Sequence, residues 1–243
     1  GTTLIRESAP WSVRRAEGGM ESMLELRDIT KSFTQQRVLE GISLTVEPGQ
    51  SVAIMGPSGS GKSTLLHCMS GVLVPDSGEI LFNGRNIAAL NDAARSELRL
   101  DHFGFIFQDG QLLPELTAKE NVALPQILRG TSQKEAHAAA ADILGRLGMG
   151  EFVDRFPGQL SGGQAQRVAI ARAFGGPPLV VFADEPTAAL DQATGHEVMQ
   201  QITAITRKAG VTLVLVTHDP NIAAWCDRRI EIRDGLIHSE VAA

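Results

Sequence analysis

The stretch Gly56-Pro57-Ser58-Gly59-Ser60-Gly61-Lys62-Ser63-Thr64 decides how this chain is read. It satisfies G-x-x-x-x-G-K-[ST], the pattern of a loop that cradles phosphates. Before it, Ser51 to Met55 predicts a short buried strand; after it, Ser63 to Ser70 predicts the start of a helix. Glycines let the backbone curl around an anion and turn successive N–H groups inward. The helix start adds the positive end of its dipole. Lys62 is placed to reach the β- and γ-phosphates, and the Ser63 hydroxyl to take a position on Mg²⁺. A chance glycine-rich turn would not carry the Lys-Ser ending between a strand and a helix. The expectation is a nucleoside triphosphate held by Gly56 through Thr64.

The 243 residues suit one large domain, or a core with a sizeable insertion, and 43% hydrophobic residues are enough to bury one. A net charge of −6 argues against a general nucleic-acid binder, whose footprint would be basic. Cys68 and Cys226 lie far apart without metal-ligand spacing and read as core thiols of a reducing compartment. No apolar run approaches the roughly 18 residues that span a bilayer. A role at a membrane would therefore borrow its membrane part from a partner. Residues 1–22 lack periodicity and read as a flexible tail in which Trp11 is a candidate anchor.

From Met23 the pattern changes. Leu24 to Ile29 alternates as a half-buried strand, and Val38 to Val46 supplies further strand before the Pro48-Gly49 turn. Such alternation predicts an antiparallel sheet flanking a parallel core. Glu79 to Phe82 is a short strand ending at Asn83-Gly84, and Gly104 to Phe107 a compact strand ending at Gln108. Ser132 to Glu135 reads as a capping box ahead of a stripe of Ala139, Ala140, Ile143, Leu144 and Leu147. The segment from about Arg85 to Gly158 reads as an α-helical insertion into an α/β core, leaving 23–243 as one nucleotide-binding domain. Leu179 to Ala183 and Val211 to Val216 are buried parallel strands, and Asp234-Gly235 marks a hairpin.

Polar residues at the carboxyl ends of parallel strands converge on the ligand crevice of an open α/β sheet. Here the phosphate loop follows one strand, Asp184-Glu185 ends a second and His218 a third. A carboxylate aimed by a rigid strand suits Mg²⁺ support. Strand side chains alternate, so Asp184 can face the metal while Glu185 faces the attacking water as its orienter or general base.

With these residues in view, Leu160-Ser161-Gly162-Gly163-Gln164-Ala165-Gln166-Arg167 resembles the signature motif of ATP-binding cassette (ABC) proteins. Together with the phosphate loop, Gln108, Asp184-Glu185-Pro186-Thr187, Ala189-Leu190-Asp191 and His218, it completes that family's motifs in the family's order, over about Met23 to Glu240. The resemblance implies a phosphate-loop NTPase core of parallel sheet, an antiparallel β subdomain, a helical insertion, and hydrolysis of ATP with Mg²⁺. Phe33 lies where the family places an adenine-stacking aromatic, usually Tyr, and this chain has no Tyr. Phe keeps the π-face. Gln108 matches the glutamine expected to touch Mg²⁺ or the water and to sense a membrane partner. Ser161, Gly162, Gly163 and Gln164 are implied to cap the γ-phosphate held by a second copy, with Asp191 at that interface. His218 is implied to hydrogen-bond the γ-phosphate and the water. Two ATP molecules would thus be sandwiched in a head-to-tail homodimer.

The stretch Phe107 to Pro125, and Ala183 to Asp191, resemble cassettes of the macrolide-efflux and lipoprotein-release branch. That resemblance implies an integral membrane permease of FtsX/MacB type as partner, export or extraction as the direction, and a place at the cytoplasmic face of the inner membrane. Asp109-Gly110-Gln111 departs from that branch, standing where an aromatic-Asn pair is common. The alternative is a soluble cassette ATPase acting on nucleic acid or ribosomes. Such chains usually carry two cassettes or a coiled-coil insertion, and this one shows neither. A kinase or GTPase would leave the Leu160 to Arg167 motif unexplained.

Overall fold

The computed structural model describes residues 22–242, so the tail reading and Trp11 lie outside the described residues apart from Ser22. The chain runs β1 (Leu24–Phe33), β2 (Gln36–Val46), β3 (Ser51–Met55), α1 (Lys62–Met69), β4 (Ser77–Phe82), β5 (Arg85–Asn86), α2 (Asp92–His102), β6 (Phe103–Phe107), α3 (Ala118–Leu128), α4 (Gln133–Arg146), α5 (Gly162–Ala173), β7 (Val180–Asp184), α6 (Gln192–Ala209), β8 (Thr212–Val216), α7 (Pro220–Ala223), β9 (Arg228–Arg233) and β10 (Leu236–Ala242). Short 3₁₀ turns at Gly150–Phe152 and Pro157–Gln159 lead into α5.

The strands form two sheets, in the orders β2-β1-β4-β5 and β10-β9-β3-β8-β7-β6. The first is antiparallel throughout. In the second, β9 to β6 pair parallel and β10 adds antiparallel at the edge. The expected hairpin sits at Asp234-Gly235, and a second turn of the same kind at Asn83-Gly84, where all four residues have positive φ, the backbone that a two-residue turn between twisted strands requires.

The period of two along each parallel strand divides the core. Val52, Ile54, Val180, Phe182, Val214 and Val216 face α1 and the antiparallel sheet. Ala53, Val181, Ala183, Leu213 and Leu215 face the other way, among α3, α4, α5 and α6. Aromatic rings tie the two sheets together: Phe103 meets Phe82 edge-on at 5.0 Å and Phe182 at 5.1 Å. Each such pair adds about 0.5–1.5 kcal/mol beyond the area it buries.

Two expectations need refinement. The segment 85–158, read as a helical insertion that holds the Gly104 to Phe107 strand, is not separate from the two sheets. Its β5 extends the antiparallel sheet and its β6 is the edge strand of the parallel one, paired with β7 from Phe103↔Val180 to Phe107↔Asp184. The helices that pack together away from the sheets are α3 and α4, with α5 beneath them. Nor is the Ser132–Glu135 capping box complete. The Ser132 hydroxyl accepts the Glu135 N–H, but the Glu135 carboxylate bonds that hydroxyl rather than the Ser132 N–H. A full box lies one helix earlier, at Thr117 and Glu120, where the two residues cap each other reciprocally.

Candidate nucleotide site

The loop after β3 is held open by contacts a side chain would destroy. A Cβ on Gly56 (φ 150°) would lie 2.1 Å from the Ile232 carbonyl oxygen, and one on Gly61 (φ 100°) 2.8 Å from that of Val38. The loop thus lies directly on β9 and β2, which only glycine allows. Its Ser60 carbonyl accepts the Gly235 N–H, so the β9–β10 hairpin also supports it. Lys62 is buried and donates to the carbonyls of Gly56 and Pro57 at 2.8 and 3.0 Å. Its hydrogen-bond partners are thus neutral, and the ammonium stands at the start of α1, where a helix dipole already favours anions.

A cavity of about 800 Å³ adjoins the loop, lined by Gln36, Val38, Pro57–Gly59, Gly61–Thr64, Glu185 and His218. That size is ordinary for a cofactor pocket. The three strand ends expected to converge do so. Ser63 Oγ donates to Asp184 Oδ1 at 3.1 Å, and Glu185 Oε1 lies 2.9 Å from His218 Nδ1. A hydroxyl and a carboxylate are the hard oxygen donors Mg²⁺ takes when phosphates supply the rest, so the residues fit that ion. Burial pushes the Asp184 carboxyl above its ordinary range, while the Ser63 hydroxyl opposes the shift. A nearby cation would relieve that cost.

The divergence of Asp184 and Glu185 has a different origin from the expected strand alternation. β7 ends at Asp184, and Glu185 has φ 47°, the left-handed region that side chains seldom occupy. Its N–H is held by the Val216 carbonyl at 2.9 Å. The kink turns Glu185 toward His218, and strain of this kind, costing of order 1 kcal/mol or more, gathers at functional sites.

The remaining predicted residues lie elsewhere. Phe33 is 44% exposed at the tip of the β1–β2 hairpin. Gln108 is exposed immediately after β6 and does not line the cavity. Ser161 caps α5 in a reciprocal box with Gln164, and Asp191 caps α6, accepting the Thr194 N–H at 3.1 Å. These two helix N-termini are neighbours, for a Cβ on Gly163 would lie 2.6 Å from Thr194 Cγ2. Neither Ser161 to Gln164 nor Asp191 lines the phosphate-loop cavity, though Asp191 shares a smaller hollow of about 290 Å³ with Glu185 and His218.

Sequence reasoning missed the residues that fasten the loop after β6. Buried Gln166 donates to the carbonyls of Phe107 and Pro186, joining that loop to the turn after β7. Arg172 donates to the carbonyls of Gly110 and Gln111, and fully buried Asn121 to those of Leu113, Leu116 and Thr117. A long polar side chain beside Val168, Ala169 and Ile170 on one helix was the available signal.

A phosphate loop at the end of β3, with a carboxylate pair and a histidine at the ends of β7 and β8, defines a phosphate-loop ATPase on an open α/β sheet. The family model for ABC transporters matches residues 39–188. Over 225 residues the chain is 47% identical to the macrolide export ATP-binding/permease protein MacB of Marinobacter nauticus, covering 91% of this chain and 35% of that protein. It is 44% identical over 222 residues to the lipoprotein-releasing system ATP-binding protein LolD of Geobacter metallireducens, covering 90% and 99%. A solved dimeric ATP-binding cassette in a post-hydrolysis state with ADP and Pi superimposes with TM-score 0.85 at 38% identity, covering 90% of this chain and 98% of that one. The chain belongs to the ABC transporter family. It is an ATP-hydrolysing cassette with Mg²⁺ as cofactor, and it spans about a third of the macrolide export relative's length.

Proposed function

We propose that two copies of this chain close head-to-tail over two ATP molecules and that the pair drives an integral membrane permease. One observation carries the reading: the phosphate-loop cavity holds Lys62, Ser63, Glu185 and His218 but none of the Ser161–Gln164 helix start. An exposed helix N-terminus with Ser at its cap suits the γ-phosphate of a nucleotide on a facing copy. Asp191, on the neighbouring helix start, would lie in the same interface.

Within each composite site Glu185 orients and deprotonates the attacking water. His218 fixes the Glu185 carboxylate and reaches the γ-phosphate. Lys62 and the N–H groups from Gly59 to Thr64 hold the β- and γ-phosphates, and the partner copy's signature N-terminus closes over them. Ser63 and Asp184 would hold Mg²⁺, which when bound would neutralise phosphate charge. Phe33 stacks on the base, and Gln108 reports on the site from the loop after β6.

Among the described residues no helix is long and apolar enough to cross a membrane. The likeness to macrolide-export and lipoprotein-releasing cassettes supports a permease of the FtsX/MacB type, reached from the cytoplasmic face of the inner membrane. Its docking face would be the cleft of about 600 Å³ beside Phe105, Phe107, Gln111 and Leu128, next to the Gln108 loop. The composite site is tested by mixing two inactive variants, Lys62→Ala and Ser161→Arg. The heterodimer retains one intact site, so the mixture should recover hydrolysis; a mixture as inactive as its parts refutes the shared site. Co-purification from detergent-solubilised membranes tests the permease, and recovery of ribosomes or nucleic acid in its place would refute it.

A further inference from the structure

Phe33 stands at an exposed hairpin tip, where a ring would ordinarily have few restraints. Here it has one. The Lys31 ammonium lies over the Phe33 ring, 5.5 Å from its centroid. That ammonium is itself fixed, donating to the Val74 carbonyl at 2.9 Å and to Asp76 Oδ1 at 3.2 Å, and the Lys31 side chain is only 17% exposed. The other Asp76 oxygen accepts the Ser32 N–H at 2.6 Å, and the Asp76 N–H donates to the Thr30 carbonyl at 2.8 Å. One residue therefore grips the backbone on both sides of Lys31 and aims its side chain. The Ser32 N–H, with Lys31 second, holds the Asp76 carboxyl below its ordinary range, so it stays ionised.

The direction of this brace matters. Val74 and Asp76 lead into β4, on one side of β1. Gln36 and Val38, which line the phosphate-loop cavity, belong to β2 on the other side. The cation thus reaches Phe33 from the strand edge away from the cavity wall.

We propose that Lys31, set by Asp76, is a positioning residue for the nucleotide base: it holds one face of the Phe33 ring and leaves the other to a purine. A cation over an aromatic face is attracted by the ring quadrupole. A ring already fixed on one face loses less freedom when a base stacks on the other. Phe lacks a hydroxyl by which a ring could be anchored, and the ammonium supplies the anchor. The inference rests on the reading of Phe33 as the base-stacking residue, and the test separates the two.

ATP hydrolysis is measured for wild type, Lys31→Met, Lys31→Arg and Phe33→Ala, with inorganic tripolyphosphate as a competitor that carries no base. Lys31→Met keeps the stem and loses the cation; it should raise KM for ATP about two- to fivefold with kcat retained. Lys31→Arg should restore the wild-type KM, and inhibition by tripolyphosphate should be the same in all four proteins. If Lys31→Met leaves KM unchanged while Phe33→Ala raises it, the role of Lys31 is refuted and Phe33 stands. If Phe33→Ala itself leaves KM unchanged, base stacking fails and the inference falls with it. An equal loss of tripolyphosphate affinity in Lys31→Met, or an Arg variant as impaired as the Met variant, would show a merely structural role and overturn the proposal.

Discussion

The two halves of the proposed nucleotide site are built on opposite plans. The half around Lys62, Ser63, Asp184, Glu185 and His218 sits at the ends of β3, β7 and β8, adjacent strands whose residues are almost all fully buried. Its polar groups are already engaged with one another, Ser63 with Asp184 and Glu185 with His218. The half around Ser161, Gly163 and Asp191 sits on the N-termini of α5 and α6, where each cap is satisfied by its own helix and nothing else. The first half can hold charge because a sheet fixes it. On the proposed head-to-tail reading, the second presents a surface that a facing copy completes. Such an ATPase would be switched by assembly: the chemical groups stand ready in one copy, and closure comes from another.

The sharpest way to break that contrast is Glu185→Gln. Turnover should fall at least about a hundredfold, the range for loss of a positioned base, with ATP binding and ATP-driven association preserved. Phosphate release and size-exclusion chromatography with ATP read the two effects, and near-normal turnover would remove Glu185 from the chemistry.

Gly163→Val attacks the other half. Its new side chain collides with Thr194 and forces α5 and α6 apart, so hydrolysis should drop about tenfold or more, as active sites misplaced by about 1 Å do. Binding of a fluorescent ATP analogue to the lone chain should be unchanged; a parallel loss of binding would mean the halves are not separable.

The smallest effect concerns stability. Asp184 has a raised folded-state pKa, so its contribution is fully present below the ordinary carboxylate range and is lost as pH rises through the folded value. Asp184→Asn removes that loss. The nucleotide-free variant should melt up to about 3 °C higher near pH ~7 and no higher in acid, while its Mg²⁺-dependent hydrolysis falls. A wild-type advantage at neutral pH without Mg²⁺ would contradict the burial cost.

Much of the first half was legible in advance because its signals are local. The phosphate loop is one contiguous pattern, and the strands that lead to Asp184 and His218 are largely apolar runs that read as buried on both faces. The hairpin turns follow from Asn-Gly and Asp-Gly dipeptides that tolerate positive φ. What escaped was non-local. Nothing near Glu185 announces a left-handed kink, because its N–H is held by Val216, 31 positions along the chain. Gln166, Arg172 and Asn121 read as ordinary polar residues until folding buries them against carbonyls of the loop after β6. The Gly104 to Phe107 strand was legible, but its partner was not, for as β6 it pairs with a strand more than 70 residues later.

The sequence alone therefore determined the family and the ATP chemistry, and it named the candidate phosphate, metal and signature residues, since each rests on a short pattern of residue types whose chemistry travels with them. Only the tertiary structure decided how those residues are apportioned. It gathered Lys62, Ser63, Glu185 and His218 around one cavity, set Asp184 against Ser63, and left Ser161 and Asp191 off that cavity's lining. It also set Lys31 against Phe33. Distances between residues far apart in sequence are fixed by which faces of strands and helices bury one another, and no local pattern encodes that.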